Sequence, residues 1–268
     1  MKNLKMRKSV MLLLAVFMGL STFAQDEKTA ASLYNEGLAF LKAKDYAAGL
    51  PILEAALEKA TVDSNDQIIG LAKKNGSIAA SNLGNAKKKA GALDEAIALY
   101  NKGIEWRPEY GSNYRGLASA TEAKGDIINA ITQYITAGDI TTASGKNKKG
   151  KKLYKKARNM VGKIYQSKDY PKAIEAGKAF LEVRENAEVA YYVCRANTES
   201  IADEEAITYA DKAIEFSGAK VNDKYYVAKA KAYEKMGKNT DAVAAYKLVT
   251  GDKYKAQAEG KIKLLGSK

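Results

Sequence analysis

An all-α solenoid of about six antiparallel helix pairs, closed by a C-terminal helix, is the fold this sequence predicts. Three observations carry it. A small residue is followed at 12, 16 and 19 positions by a second small residue, a bulky one and usually another small one. The quartets are Gly37/Gly49/Leu53/Ala56, Gly84/Ala96/Tyr100/Gly103, Ala118/Ala130/Tyr134/Ala137, Cys194/Ala206/Ala210/Ala213 and Ala230/Ala242/Tyr246/Val249. Two antiparallel helices approach closely only where small side chains face each other, and the first two members of each quartet mark that crossing. Second, apolar residues recur at steps of three and four, as in Ala96, Ile97, Tyr100, Gly103 and Ile104, which makes one buried stripe per helix. Third, the chain has only 3 prolines. Pro51 and Pro171 are expected in first turns and Pro108 after a last one, so none breaks a helix.

Taken in order, the first pair contains Gly37, Phe40, Asp45-Tyr46, Leu53 and Ala56. In the second, third and sixth pairs the first helix stops at Gly91, Gly125 and Gly237, seven residues after the crossing residue, where glycine tolerates the left-handed conformation. The second helix then opens with Leu93-Asp94-Glu95-Ala96, Ile127-Ile128-Asn129-Ala130 or Thr240-Asp241-Ala242. A degenerate fourth pair reads Val161/Ala173/Gly177/Phe180 with Asp169-Tyr170, and there Val stands where a small residue is expected. A closing helix from Asp252 to Leu265 would cover the open apolar edge of the sixth pair.

The second copy also carries a family resemblance. Leu83-Gly84, Gly91, Ala96, Tyr100 and Pro108 stand where the tetratricopeptide repeat has its Leu-Gly, turn Gly, Ala, aromatic and closing Pro. Looser copies read Tyr114, Leu117, Gly125, Tyr134 and Tyr226, Tyr233, Gly237, Tyr246. The resemblance spans roughly residues 30 to 250 and implies a tetratricopeptide-repeat superhelix whose ligands, proteins or peptides, lie on the concave face of the first helices. Carried over by register, that face holds Tyr34, Asn85, Lys88, Arg115, Tyr191, Arg195 and Lys231 as partner-binding candidates. Leu38, Leu41, Ser81, Ser119, Glu122, Thr198 and Glu234 share it. A family clamp for a terminal carboxylate needs Lys one turn before Asn, and Ser81 precedes Asn85, so the clamp is not supported.

The chain opens differently. Lys2, Lys5, Arg7 and Lys8 precede an apolar run from Val10 to Leu20, and Thr22-Phe23-Ala24 offers a small-residue cleavage site. This pattern predicts a secretory signal peptide over residues 1–24, cleaved after Ala24. The run is shorter than the roughly 20 apolar residues that span a bilayer. No Cys follows it to take a lipid. The expected division is 1–24 leader, 25–144 repeats one to three, and 145–268 repeats four to six with the closing helix. Export places the protein in the periplasm or outside the cell, with no membrane-spanning segment after cleavage.

Composition removes most chemistry. With no His, Ser-His-Asp and Cys-His mechanisms are excluded and the commonest zinc ligand is missing. The single Cys194 cannot form an intrachain disulfide and, at a crossing position, reads as a buried small hydrophobe. Asp203, Glu204 and Glu205 sit at a helix start, where they complement its dipole. No cofactor, metal or catalytic residue is expected.

Charge is the remaining signal. The formal net charge is +13, and Lys146, Lys148, Lys149, Lys151, Lys152, Lys155, Lys156 and Arg158 form its densest stretch. The loop beginning at Gly145 is not a nucleotide cradle, because Lys152 stands where that motif needs Ser or Thr and no strand precedes it. Leu153, Ala157, Val161 and Ile164 recur at helical spacing, so the basic side chains are expected on the outer face of a docked helix beside a flexible joint, Thr141 to Gly145. They form either a solvated face or a patch for anionic envelope material. Export and the lack of interleaved aromatic and basic residues argue against nucleic acid. Trp106, two before Pro108, is expected in the core.

Overall fold

The computed structural model describes residues 28–200 and 204–267. The expected leader and Asp203 lie outside the described residues. Thirteen helices follow one another, and no strand occurs among the described residues. In chain order they are α1 (Ala30–Lys42), α2 (Tyr46–Val62), α3 (Asp66–Lys89), α4 (Leu93–Trp106), α5 (Gly111–Ala123), α6 (Ile127–Ala143), α7 (Asn147–Gln166), α8 (Tyr170–Val183), α9 (Ala187–Ser200), α10 (Glu204–Glu215), α11 (Asp223–Lys235), α12 (Asn239–Tyr246) and α13 (Asp252–Gly266). The chain forms two compact units, Met1–Gly76 and Ser77–Lys268, whose boundary falls within α3.

In the first unit α1 and α2 make a close helical hairpin. A Cβ on Gly37 would sit 2.8 Å from Leu53 Cγ, and one on Gly49 would sit 3.1 Å from the Gly37 carbonyl oxygen. The predicted crossing is therefore where the two backbones touch. Ala30, Tyr34, Leu53, Ala56, Ala60, Ile68 and Ala72 form the core of this unit. Pro51 departs from expectation, lying inside α2 rather than in its first turn.

The second unit stacks helix pairs in series. Each helix packs on its chain neighbours, and the first helices of successive pairs, α7, α9, α11 and α13, also pack on one another. Ala118, Ala130 and Tyr134 share one core cluster, and Ala230, Ala242 and Tyr246 another. Every one of these six side chains is at most 1 % exposed. The bulky member of a quartet fills the gap left by a glycine on each side: ring atoms of Tyr100 would lie 2.9 Å from a Cβ on Gly84 and 2.2 Å from one on Gly116.

The degenerate fourth pair obeys the same volume rule in reverse. Val161 occupies the small-residue position, and Gly177 stands where four of the other five pairs carry Leu or Tyr and the fifth carries Ala210. All of Val161, Ala173 and Phe180 are fully buried. Val193 of the next pair fills the space over Gly177, its Cγ2 lying 2.2 Å from where a Cβ would be. Bulk is exchanged between positions, and the interior stays close-packed.

Turns follow the register. Gly91, Gly125 and Gly237 have φ of 82°, 87° and 74°. At the same position of the first and fourth pairs stand Lys44 and Lys168, with φ of 62° and 64°. The next residue caps the second helix in three pairs: Asp45, Asp126 and Asp169 accept from the amides of Ala48, Asn129 and Lys172. Each such cap contributes on the order of 1 kcal/mol.

The joint expected at Thr141 to Gly145 is a short turn. α6 runs to Ala143 and α7 starts at Asn147, and the two helices pack closely along their length. The extra residues between copies lengthen helices, since α3 has 24 residues and α7 has 20. At the far end α13 closes the stack as expected, with Ala258 and Leu265 packed into the cluster around Tyr246 and Val249.

Candidate functional site

The surface of the second unit that gathers chemistry is the side presented by its first helices. A repeated device builds it. The Tyr134 hydroxyl, reaching from α6, donates to the Glu122 carboxylate of α5 at 2.7 Å, and Lys156 of α7 pairs with the same carboxylate at 2.7 Å. Three pairs further on, the Tyr246 hydroxyl of α12 bonds Glu234 of α11, and Lys261 of α13 pairs with Glu234 at 2.5 Å. Each buried tyrosine thus ends at a carboxylate shared with the next helix of the row. Burial works to raise the Glu122 carboxyl, but the bonds from Lys156 and Tyr134 outweigh it and hold the group below the ordinary carboxylate range. Glu122 and Glu234 stand 12 residues before their tyrosines, a spacing visible in the sequence once the device is known.

Other cations of these first helices lack such partners. Lys88 of α3 donates to Ser119 of α5 at 3.0 Å, and no ion pair to Lys88, Arg115 or Lys231 occurs among the described residues. Burial, with Arg115 and Lys156 nearby, pushes the Lys88 ammonium below its usual value. Burial and Arg195 do the same to Lys231. Both are half-buried. Glu122 offsets part of this lowering at Lys88, and Glu199 and Glu234 offset part of it at Lys231.

An aromatic cluster occupies the middle of the row. Tyr165 of α7 stacks on Tyr192 of α9 with centroids 5.5 Å apart, Tyr191 lies 5.8 Å from Tyr192, and Tyr225 of α11 lies 5.7 Å from Tyr191. Arg195 reaches the Tyr191 hydroxyl at 3.3 Å and Glu199 at 3.2 Å. Its Nε is buried without a hydrogen-bond partner. A buried guanidinium nitrogen left unpaired costs free energy, and a nearby acceptor would recover it. Lys224 is held over Tyr191, 4.9 Å from the ring centroid.

The candidates read from sequence separate into groups. Lys88, Arg115, Tyr191, Arg195 and Lys231 belong to this row. Asn85 is exposed and accepts from the Tyr100 hydroxyl at 2.8 Å. Tyr34 belongs to the core of the first unit: it is 8 % exposed, and its hydroxyl accepts from Asn75 at 2.8 Å. The burial of Tyr34 follows from its packing under α2 and α3, where an open face was expected. Trp106 is half-buried, not fully in the core, with the Lys102 ammonium 5.7 Å from its ring.

Seven of the eight side chains of the basic segment are exposed, all but Arg158, and they point in more than one direction. Lys148, Lys151 and Lys155 are exposed on one side of α7. Lys156, also exposed, reaches along the surface to Tyr134 and Glu122, its ammonium 4.4 Å from the Tyr134 ring centroid. Arg158 is half-buried and donates to Asn159 at 3.1 Å. Lys146, Lys149 and Lys152 line a cleft with α5 and α6. One sequence run therefore serves two surfaces, because helical spacing distributes neighbours around the axis. Cys194 is fully buried, and burial pushes its thiol up to about 12, so it packs without reactive exposure. No group of metal-ligating side chains occurs among the described residues. No described helix is long and apolar enough to cross a membrane.

These features define a class, an all-α repeat protein of stacked helix pairs. Residues 79–110 and 223–251 match the tetratricopeptide-repeat family model, so the chain contains tetratricopeptide repeats, a fold of protein–protein interaction. Solved structures that resemble it include the TPR2AB domain of yeast Sti1 in complex with pHSP90, at 18 % identity over 88 % of this chain and 98 % of that one, with a TM-score of 0.37. A tetratricopeptide repeat protein from Parabacteroides merdae is similar at 18 % identity, covering 89 % of this chain and 87 % of that one, with a TM-score of 0.33. None of the curated proteins matches the chain.

Proposed function

We propose that this protein is a non-catalytic binding module of the cell envelope that grips an acidic segment of a partner protein along the first helices of its second unit. The observation that carries the reading is the pair of half-buried lysines Lys88 and Lys231, neither in an ion pair among the described residues, on helices that precede and follow α7 and α9 with their Tyr165, Tyr191 and Arg195 cluster. Two helices that met only for structural reasons would have no cause to hold unpaired cations at half burial, because burying unpaired charge destabilises the fold. A partner carboxylate removes that penalty. Tyrosine and arginine are also the residue types that concentrate binding energy at interfaces. An extended peptide carrying Asp or Glu at intervals, with an aromatic or aliphatic side chain against the tyrosines, matches this arrangement.

The envelope setting rests on the charged, apolar and small-residue pattern of residues 1–24, read as a cleaved leader. A scaffold role follows from the length of the row, which offers several anchoring points to one partner or to two. Selection of displayed random peptides against the mature chain tests the reading. Recovered peptides should be rich in Asp and Glu and should lose affinity when Lys88, Arg115 or Lys231 is replaced by Gln. Recovery of neutral or basic peptides, or of acidic ones indifferent to all three substitutions, would overturn it.

A further inference from the structure

A separate cleft of about 800 Å³ opens in the second unit where the turn from α4 to α5, the end of α6 and the start of α7 come together. Five cations line it, Arg107, Arg115, Lys146, Lys149 and Lys152, against a single lining carboxylate, Glu109. Glu109 accepts from Arg107 Nε at 2.5 Å with its side chain 67 % exposed, so it neutralises one rim and leaves the interior positive. Of the cations named in the row of first helices, Arg115 alone lines this cleft.

Backbone donors add to the side chains. Both α5 and α7 begin at the cleft, and their N-caps, Tyr110 and Lys146, supply no side-chain acceptor to the first turn. The first-turn amides of Gly111 and Ser112, which line the cleft, have neither a backbone nor a side-chain acceptor, whereas Asp45, Asp126 and Asp169 cap other helices of this chain. The free amides at the start of α5 and five cationic side chains present more donors than the two oxygens of a carboxylate can accept. A phosphate group, with more oxygens and up to two charges, suits them, and arginine binds it through paired N–H bonds. The cleft also has an apolar wall, Ile140 and Leu153, and the ring of Tyr110 under the Arg107 guanidinium. Its volume lies in the roughly 300 to 1,000 Å³ range of small-ligand sites.

We propose that this cleft binds the phosphate group of a small organic ligand, whose body rests against Tyr110, Ile140 and Leu153. Five like charges gathered around one hollow repel one another, and a bound phosphate converts that repulsion into attraction. The phosphate could be that of a free molecule or of a lipid headgroup, and the chemistry of recognition is the same.

Titration calorimetry on the full chain tests the proposal with pyrophosphate as the soluble probe. Vesicles of phosphatidylglycerol and phosphatidylcholine in equal parts serve as the membrane probe. Two variants of identical charge are compared, Lys149→Gln with Lys152→Gln inside the cleft and Lys148→Gln with Lys151→Gln on the solvent side of the same helix, each checked for helical content by circular dichroism. The cleft pair should weaken binding about tenfold or more, since each removes a charge-assisted bond. The solvent-side pair should change it less than about twofold at physiological salt. Pyrophosphate binding with this order identifies a soluble ligand, and vesicle binding alone with the same order identifies a headgroup. Equal losses in both pairs, or failure of both probes to bind the parent chain, would overturn the proposal. Lys88 and Lys231 are intact in every variant, so the outcome is independent of acidic-peptide binding.

Discussion

Gly103→Ala is the substitution whose effect the packing of the second unit specifies most closely. The Gly103 carbonyl accepts from the Ser77 hydroxyl at 2.8 Å, and Asn113 Nδ2 donates to the same Ser77 Oγ at 2.9 Å, tying α3, α4 and α5 together. Ser77 and Asn113 are fully buried. A Cβ at residue 103 would lie 2.3 Å from Asn113 Nδ2 and 2.6 Å from its Cγ. Asn113 must then leave Ser77, and a close-packed core offers it little room. Loss of a buried hydrogen bond costs about 1 to 3 kcal/mol, and overpacking costs a further 1 to 3 kcal/mol or so. Alanine returns about 1 kcal/mol over glycine in a helix. The net expectation is a loss of about 3 kcal/mol, read from urea unfolding followed by circular dichroism. The decisive control is the Asn113→Ala background, where the clash is gone and Gly103→Ala should be neutral or stabilising by up to about 1 kcal/mol. An equal loss in both backgrounds would refute the network as the cause.

Other outcomes follow from the same register. Ala130→Leu, at a fully buried crossing, should cost about 1 to 3 kcal/mol in the same assay. Lys168→Gly should stabilise by roughly 0.5 to 1 kcal/mol, because residue 168 has φ of 64°, where a Cβ is strained and glycine is not. Burial first, and then Glu188, pushes the hydroxyls of Tyr192 and Tyr225 from the ordinary 10.0 up to about 12. The folded chain therefore holds protons that the unfolded chain has released, and stability present below pH 10 or so should fall as pH rises towards about 12, measured by thermal melts across that window.

Legibility in the sequence divides along physical lines. The quartet spacing located the crossings at Ala118 and Ala130 and at Ala230 and Ala242 because small-on-small contact is a local requirement with a fixed period. Gly91, Gly125 and Gly237 were readable as left-handed stops for the same reason. The fourth pair was harder, since Val161 is tolerated only through Gly177 and the neighbouring Val193, and such compensation between pairs has no fixed period. Lys44 and Lys168 in left-handed turns carry no compositional signal. The site was legible in part. Register placed Lys88, Arg115, Tyr191, Arg195 and Lys231 on one side, but it also placed Tyr34 there, which packing buries. The triads of Glu122 with Lys156 and Glu234 with Lys261 depend on which helix follows at close range, which a one-dimensional reading does not hold. For the same reason the basic run of α7 appeared as one patch, although Lys156 reaches along the surface to the row while Lys149 and Lys152 line the cleft.

The most direct test of the acidic-partner account is the affinity of a selected Asp- and Glu-rich peptide for the parent chain and for the Lys88→Gln, Lys231→Gln variant, measured beside their melting temperatures. Relief of half-buried, unpaired charge should leave the melting temperature unchanged or raised, while the loss of two charge-assisted contacts should weaken peptide binding about tenfold or more. A variant that binds the peptide as tightly as the parent would contradict the account, as would one that loses binding only because it has lost its fold.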